Sequence, residues 1–401
     1  MSEAAAGADR ADLRTRLTRV LFGQSFLSGV VRSFLTLAAG EWIARLIGVA
    51  IQIWLARELT PGPYGVITFG LALVGWFGLV VDSGTEQLNV REISRHPARF
   101  RELADRVLGL RIALSIAAGI VLAVVTYEFS NSADAREVLP RFALVLPALA
   151  INLRWMVLGI GKARAVAYGN IASRIVFLAA IVLLVTEPSN DVRVPIIEAL
   201  SEATYAVVII VLAAKAYGYV RPRIDLAAWR ATLTEGFPLL VYGACRATIL
   251  TADVVLIALI LGHGQVGLYG AALYPERSAT ENSPSAPRKK LTGFSAAPLA
   301  VLAWTLPLAG LSVPYGSVLV ARNRQDLLMH NNIIGAAFNV VACLLAVEFI
   351  GITGAAAVRV ATYGIMLFLN HNACVKRGLA PSLSAVFAGR LPRVAPGRGR
   401  A

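Results

Sequence analysis

Residues 107–127 read VLGLRIALSIAAGIVLAVVTY, twenty-one positions with a single charge, Arg111. No polar face recurs at helical spacing, so the stretch does not read as a surface helix of a water-soluble domain. As a helix it has the length that crosses roughly 30 Å of hydrocarbon. Nine further runs share this character: 35–56, 64–81, 142–161, 166–185, 195–214, 237–261, 297–320, 329–350 and 352–370. The fold class is therefore all-α, a polytopic transmembrane bundle of about ten helices.

Composition agrees. Only 15% of the 401 residues are charged and 57% are hydrophobic, with a mean hydropathy of +0.66. A soluble chain of this size would carry about a quarter charged residues. The net charge of +14 would suggest nucleic acid in a soluble protein, but here it lies mainly between the apolar runs, where it sets orientation. Alternate connections hold 24 and 8 Lys and Arg residues, and the richer set contains both ends of the chain. Both termini are thus expected in the cytoplasm. The Arg-rich segment 1–34 lacks a small-residue cleavage site and reads as a retained cytoplasmic or interfacial segment.

Three parts of the chain are not spans in this reading. Residues 215–236 form a cytoplasmic linker between a first lobe, 35–214, with six helices and a second lobe, 237–370, with about four. Residues 371–401 are a basic cytoplasmic tail. Residues 274–296, YPERSATENSPSAPRKKLTGFSA, are too polar to cross a membrane and interrupt the second lobe. A short internal repeat at an offset of 202 residues relates the lobes: Thr60-Pro61-Gly62-Pro63-Tyr64-Gly65-Val66 stands against Gly262-His263-Gly264-Gln265-Val266-Gly267-Leu268. Arg45 and Arg246 fall within one residue of equivalence under that offset. Parallel repeats of this kind place a site at the interface between two halves.

Six arginines lie inside predicted spans. Arg111 is near the cytoplasmic end of its helix and is expected to snorkel. Arg45, Arg154, Arg174, Arg246 and Arg359 lie deeper, where a guanidinium is costly unless it faces a partner or water. Acids inside spans are fewer: Glu41, Glu198, Glu202, Asp253 and Glu348. Glu41 and Arg45 are four apart on one face and positioned to pair. Individual ion pairs would explain any one arginine. Five deep arginines set against few equally deep acids point instead to a hydrated cavity for an anion, and guanidinium suits phosphate through its bidentate fork. Glu198, Glu202 and Asp253 are candidates for ion coupling, with ordinary pairing as the alternative.

Other motifs carry no chemistry. Gly262-His263-Gly264-Gln265-Val266-Gly267 satisfies GxGxxG but sits in a membrane span with no βαβ context, and Gly159-Ile160-Gly161-Lys162-Ala163 lacks the rest of a P-loop. His96, His263, His330 and His371 have no metal-ligand spacing, and Cys245, Cys343 and Cys374 no CxxC, so neither metal nor cofactor is expected.

Several motifs in order resemble a known family. They are Gly40-Glu41-Trp42-Ile43-Ala44-Arg45-Leu46-Ile47-Gly48, Leu55-Ala56-Arg57-Glu58-Leu59-Thr60-Pro61-Gly62-Pro63-Tyr64-Gly65, Asp82-Ser83-Gly84, Val90-Arg91-Glu92-Ile93-Ser94-Arg95, Ala252-Asp253-Val254-Val255-Leu256, Val266-Gly267-Leu268-Tyr269-Gly270-Ala271-Ala272, Ala321-Arg322-Asn323-Arg324 and Gly351-Ile352-Thr353-Gly354-Ala355-Ala356. The set is similar to the polysaccharide transporter and O-antigen flippase branch of the multidrug/oligosaccharidyl-lipid/polysaccharide exporter superfamily. The resemblance implies two six-helix lobes around a central cavity. It implies movement of undecaprenyl-pyrophosphate-linked oligosaccharide across a bacterial inner membrane by alternating access, without enzymatic chemistry. Lipid-linked glycan, membrane lipids, and polymerase and glycosyltransferase partners follow from it, and no nucleic acid. Asp82 and Arg91 are the cytoplasmic gate candidates. Relatives continue the eighth helix and add a ninth where this chain has 274–296, so the second lobe reads as truncated by about two helices. The alternatives are an inactive truncated relative, a multidrug antiporter, or a membrane-embedded glycan-processing enzyme.

Overall fold

A computed structural model describes residues 35–96, 99–130, 132–218, 220–272, 296–322 and 324–379. Ten of its helices are long and apolar enough to cross a membrane, in the order the sequence predicts, and the described residues contain no strand. The protein is a multi-pass membrane protein. The N-terminal segment, most of 274–296 and most of the basic tail lie outside the described residues.

Helix α1 (Leu35–Glu58) leads to Pro61, whose fixed φ and absent N–H suit the first turn of α2 (Pro61–Asp82). Ser83 (φ 48°) and Gly84 (φ 73°) turn the chain into the amphipathic α3 (Thr85–Arg95). Helix α4 runs from Phe100 to Phe129.

The fourth span is built in pieces. Ser132 caps α5 (Ala133–Val138), a 3-10 stretch follows at Leu139–Leu144, and α6 (Val145–Ile151) stops at Asn152 before α7 (Arg154–Gly159). A helix broken inside a membrane frees backbone groups that need partners. Here the Arg111 guanidinium donates to the Asn152 carbonyl at 3.0 Å, while the Asn152 side chain accepts from the Arg154 N–H at 3.2 Å. The expected snorkelling of Arg111 is thus corrected. Its side chain is only 5% exposed, and it also pairs with Asp82 and donates to Thr85.

Helices α8 (Ala163–Leu184) and α9 (Val194–Tyr217) flank a 3-10 turn, Pro188–Arg193. Helix α10 (Leu226–Leu261) is capped by Asp225 and begins eleven residues before the predicted span at 237. Next come α11 (His263–Ala272), α12 (Ala296–Leu302), α13 (Thr305–Ala321), α14 (Gln325–Ile350) and α15 (Ile352–Val375).

Helices α4, α6, α8 and α9 pack on one another, as do α10, α13, α14 and α15. Helix α2 joins the two groups by packing along α10 and across α11. One apolar core crosses this seam, with Tyr64, Ile67, Ile257, Val266 and Tyr269 all buried in it. At the crossing of α2 and α11 the backbones touch. A Cβ on Gly65 would collide with the His263 carbonyl, and one on Gly267 with the Pro61 carbonyl. Both contacts are the same contact read through the 202-residue offset, so the repeated segments face each other about a local two-fold axis. Farther along, Trp76 Nε1 donates to Thr251 Oγ1 at 3.1 Å, and Gly84 lies flush with Gly236.

The connection before α10 is docked on α4: the N–H of Arg221 donates to Asp105 Oδ1 at 2.7 Å, and that of Arg223 to the Asp105 carbonyl at 2.9 Å. Asp105→Ala removes the first bond, worth about 1 kcal/mol, so trypsin should cut after Arg221 or Arg223 roughly fivefold faster. Glu102→Ala is the control, and an unchanged cleavage rate in Asp105→Ala would show that the bond does not hold the connection.

Candidate functional site

Polar side chains gather in three places. In the first half, Arg154 at the start of α7 reaches Glu86 in the first turn of α3 at 2.8 Å. Arg174 on α8 bridges to two carboxylates one turn apart on α9, Glu202 at 2.9 Å and Glu198 at 3.4 Å. Beside that bridge Ser173 and Ser201 bond across the same two helices at 2.9 Å, which sets their register. Glu41 on α1 accepts from Asn170 at 3.4 Å and lies within electrostatic reach of both Arg154 and Arg174. Four carboxylates thus surround two guanidiniums, and this network is net acidic.

In the second half, Asp253 on α10 is 1% exposed and fully engaged. Its Oδ1 accepts from the Val254 N–H at 2.9 Å and from Arg359 Nη2 on α15 at 3.0 Å. Its Oδ2 meets Arg359 Nε at 2.8 Å and accepts from the Tyr269 hydroxyl on α11. One buried ion pair therefore ties three helices together. Nearby helices are joined by neutral groups: Asn331 to Asn370 at 2.9 Å, Asn370 to Ser312 at 3.2 Å, and Asn339 to Thr362 at 3.0 Å. The third cluster is Arg111 with Asp82, Thr85 and Asn152, where the broken fourth span meets α2 and α4.

Against the sequence expectations, Arg154, Arg174 and Arg359 are each neutralised by carboxylates. Arg45 and Arg246 are exposed, and among the described residues no ion pair reaches either. Glu41 does not pair with Arg45, whose guanidinium lies over the Trp42 ring, 5.8 Å from its centroid. Asp82 is bound by Arg111 within the first half, while Arg91 is exposed, so the two gate candidates do not meet. Asp253 is held in a structural pair. Sequence reasoning missed Asp82 and Glu86 as partners because both lie just past the end of an apolar run. The signal was available, since Arg111 and Arg154 lie near the same membrane boundary as that connection. Asn331, Asn339 and Asn370, inside apolar runs, were the unused sign of the neutral ladder. No group of His, Cys, Asp and Glu among the described residues is arranged to hold a metal ion.

Residues 30–277 match the family model described as polysaccharide biosynthesis protein. No curated protein matches the sequence. Among solved structures, the chain is similar to a MOP superfamily transporter from Pyrococcus furiosus described by the reverse polarity of its binding pocket. Identity is 14%, the TM-score 0.53, and 90% of this chain and 96% of that one are covered. A multidrug resistance MATE family transporter of the same superfamily in an inward-facing conformation gives a TM-score of 0.59 at 14% identity, with 86% and 98% covered. One in an outward-facing conformation gives 0.52 at 13%, with 88% and 96% covered. At these identities the likeness establishes the fold alone, one shared with these transporters.

Proposed function

Since this chain belongs to the polysaccharide biosynthesis protein family, we propose that it is a membrane transporter that moves an oligosaccharide on a pyrophosphate-linked lipid carrier across a bacterial inner membrane, with both termini cytoplasmic. The observation that carries this reading is the pair Arg45 and Arg246. They are the intramembrane arginines left without a carboxylate among the described residues, and they stand at near-equivalent positions in the two repeats. An unpaired guanidinium inside a span needs an anion or water. One from each half offers a fork to each phosphate of a pyrophosphate, while the lipid tail stays in the bilayer. The two halves then bind one cargo and alternate about it, as parallel-repeat transporters do.

The test is surface polysaccharide in a host that lacks its own transporter, at matched membrane levels of protein. Arg45→Ala and Arg246→Ala should each lower it, and the double variant should fall to the transporter-free level. Wild-type polysaccharide from the double variant would overturn the cargo assignment. The net acidic network in the first half favours a second reading, export of cations. Under it the double variant would still protect cells from cationic drugs, and Glu41→Gln would not.

A further inference from the structure

The acidic surplus of the first half falls on one residue. Arg174 satisfies Glu202 at 2.9 Å but reaches Glu198 only at 3.4 Å, through Oε1. The other oxygen, Glu198 Oε2, is buried and accepts no hydrogen bond, in a side chain that is 9% exposed. A buried ionised carboxylate with a bare oxygen is costly, and a second carboxylate one turn away adds repulsion that a single guanidinium cannot offset. A proton on one of the two acids removes both penalties. The unpartnered oxygen marks where it sits.

We propose that the Arg174–Glu198–Glu202 triad is a proton-binding site, with the exchangeable proton on Glu198 Oε2. The proton comes from the aqueous phase and returns to it; no other bond forms or breaks. When it is bound, Arg174 and Glu202 balance and the triad is neutral. When it leaves, α8 and α9 hold one uncompensated negative charge between them. The other charged and titratable groups on α8, α9 and the elements packed against them include Glu41 on α1, Arg154 on α7, Arg164 and Tyr168 on α8, Tyr205 and Lys215 on α9, Arg141 on the 3-10 segment before α6, and Asp191 and Arg193 on the one before α9. Of all these neighbours, Arg174 and Glu202 act on Glu198 directly, and Glu41 acts through Arg174. The assignment does not depend on the cargo.

Infrared difference spectroscopy on the purified full-length protein reads the proton as the carbonyl stretch of an un-ionised carboxylic acid. Wild-type protein at neutral pH should show this band, and Glu198→Gln should lose it. Glu202→Gln should lose it too, because the remaining carboxylate then has the guanidinium to itself. Arg174→Gln should keep the band, since Glu198 then loses the cation that favours its ionised form. A band that survives Glu198→Gln, or is absent from wild type, would overturn the proposal. So would a band that appears only when sodium is removed, since the site would then hold a metal cation. The Glu→Gln variants keep side-chain size close to native, and melting in detergent verifies the folding of all three. The cargo test on Arg45 and Arg246 can fail without touching this result.

Discussion

Asp253→Ala is expected to destabilise the protein by about 3–5 kcal/mol, enough to leave little folded material after extraction into detergent. The substitution strands the Arg359 guanidinium in the interior between α10 and α15, where no other carboxylate among the described residues reaches it. Arg359→Ala should do equal harm by stranding the acid. The two effects should not add, because they describe one interaction. A double replacement by apolar residues, Asp253→Leu with Arg359→Met, should recover most of the loss, as buried pairs are often no better than well-packed hydrocarbon. Tyr269→Phe, which removes one donor to the charged Asp253, should cost about 1.5–3 kcal/mol. The measurement is thermal unfolding of purified protein, with monodisperse yield as the second readout. Additive single losses would mean that the two side chains act separately.

Gly65→Ala and Gly267→Ala are the second pair of large effects. Each adds a methyl group into the backbone of the opposite helix, which cannot rotate aside as a side chain would. Overpacking of this kind costs about 1–3 kcal/mol, and a contact with backbone lies at the upper end. The controls are built into the repeat. Gly62 and Gly264, also related by the 202-residue offset, have open space where a Cβ would go. Alanine there should change stability by less than about 0.5 kcal/mol. Equal behaviour of all four variants would refute the reciprocal backbone contact.

Much of the fold was legible because the bilayer imposes a length on apolar runs, and ten such runs became ten spans. Helix ends were less legible, since the hydrocarbon boundary does not end a helix. Helix α10 starts at its cap, Asp225, and α4 at Phe100, both well before their apolar stretches begin. The break at Asn152 left no mark in hydropathy because its cure, Arg111, lies 41 residues earlier in the chain. Of the arginines inside the apolar runs, Arg111, Arg154, Arg174 and Arg359 each have a carboxylate partner. Counting only acids inside spans omitted Asp82 and Glu86, which fold back from a connection to meet Arg111 and Arg154. The pairing of Asp253 with Arg359 spans 106 positions, beyond any local pattern. Arg45 and Arg246, near-equivalent under the 202-residue offset, have no carboxylate partner among the described residues.

The same 106-residue separation sets an order of manufacture. Asp253 leaves the ribosome and enters the membrane while Arg359 has yet to be made, whereas Asp82 is already in place when Arg111, 29 residues later, arrives. Of the two side chains that will hold Asp253, only the Tyr269 hydroxyl, sixteen residues behind it, is synthesised early. Nascent chains halted before Arg359 should therefore carry an unsettled seventh span that quality-control proteases can reach, while the first six are already secure. Completion of α15 is the event that closes the second half, so premature stop codons upstream of residue 359 should yield rapid degradation instead of a stable shorter protein.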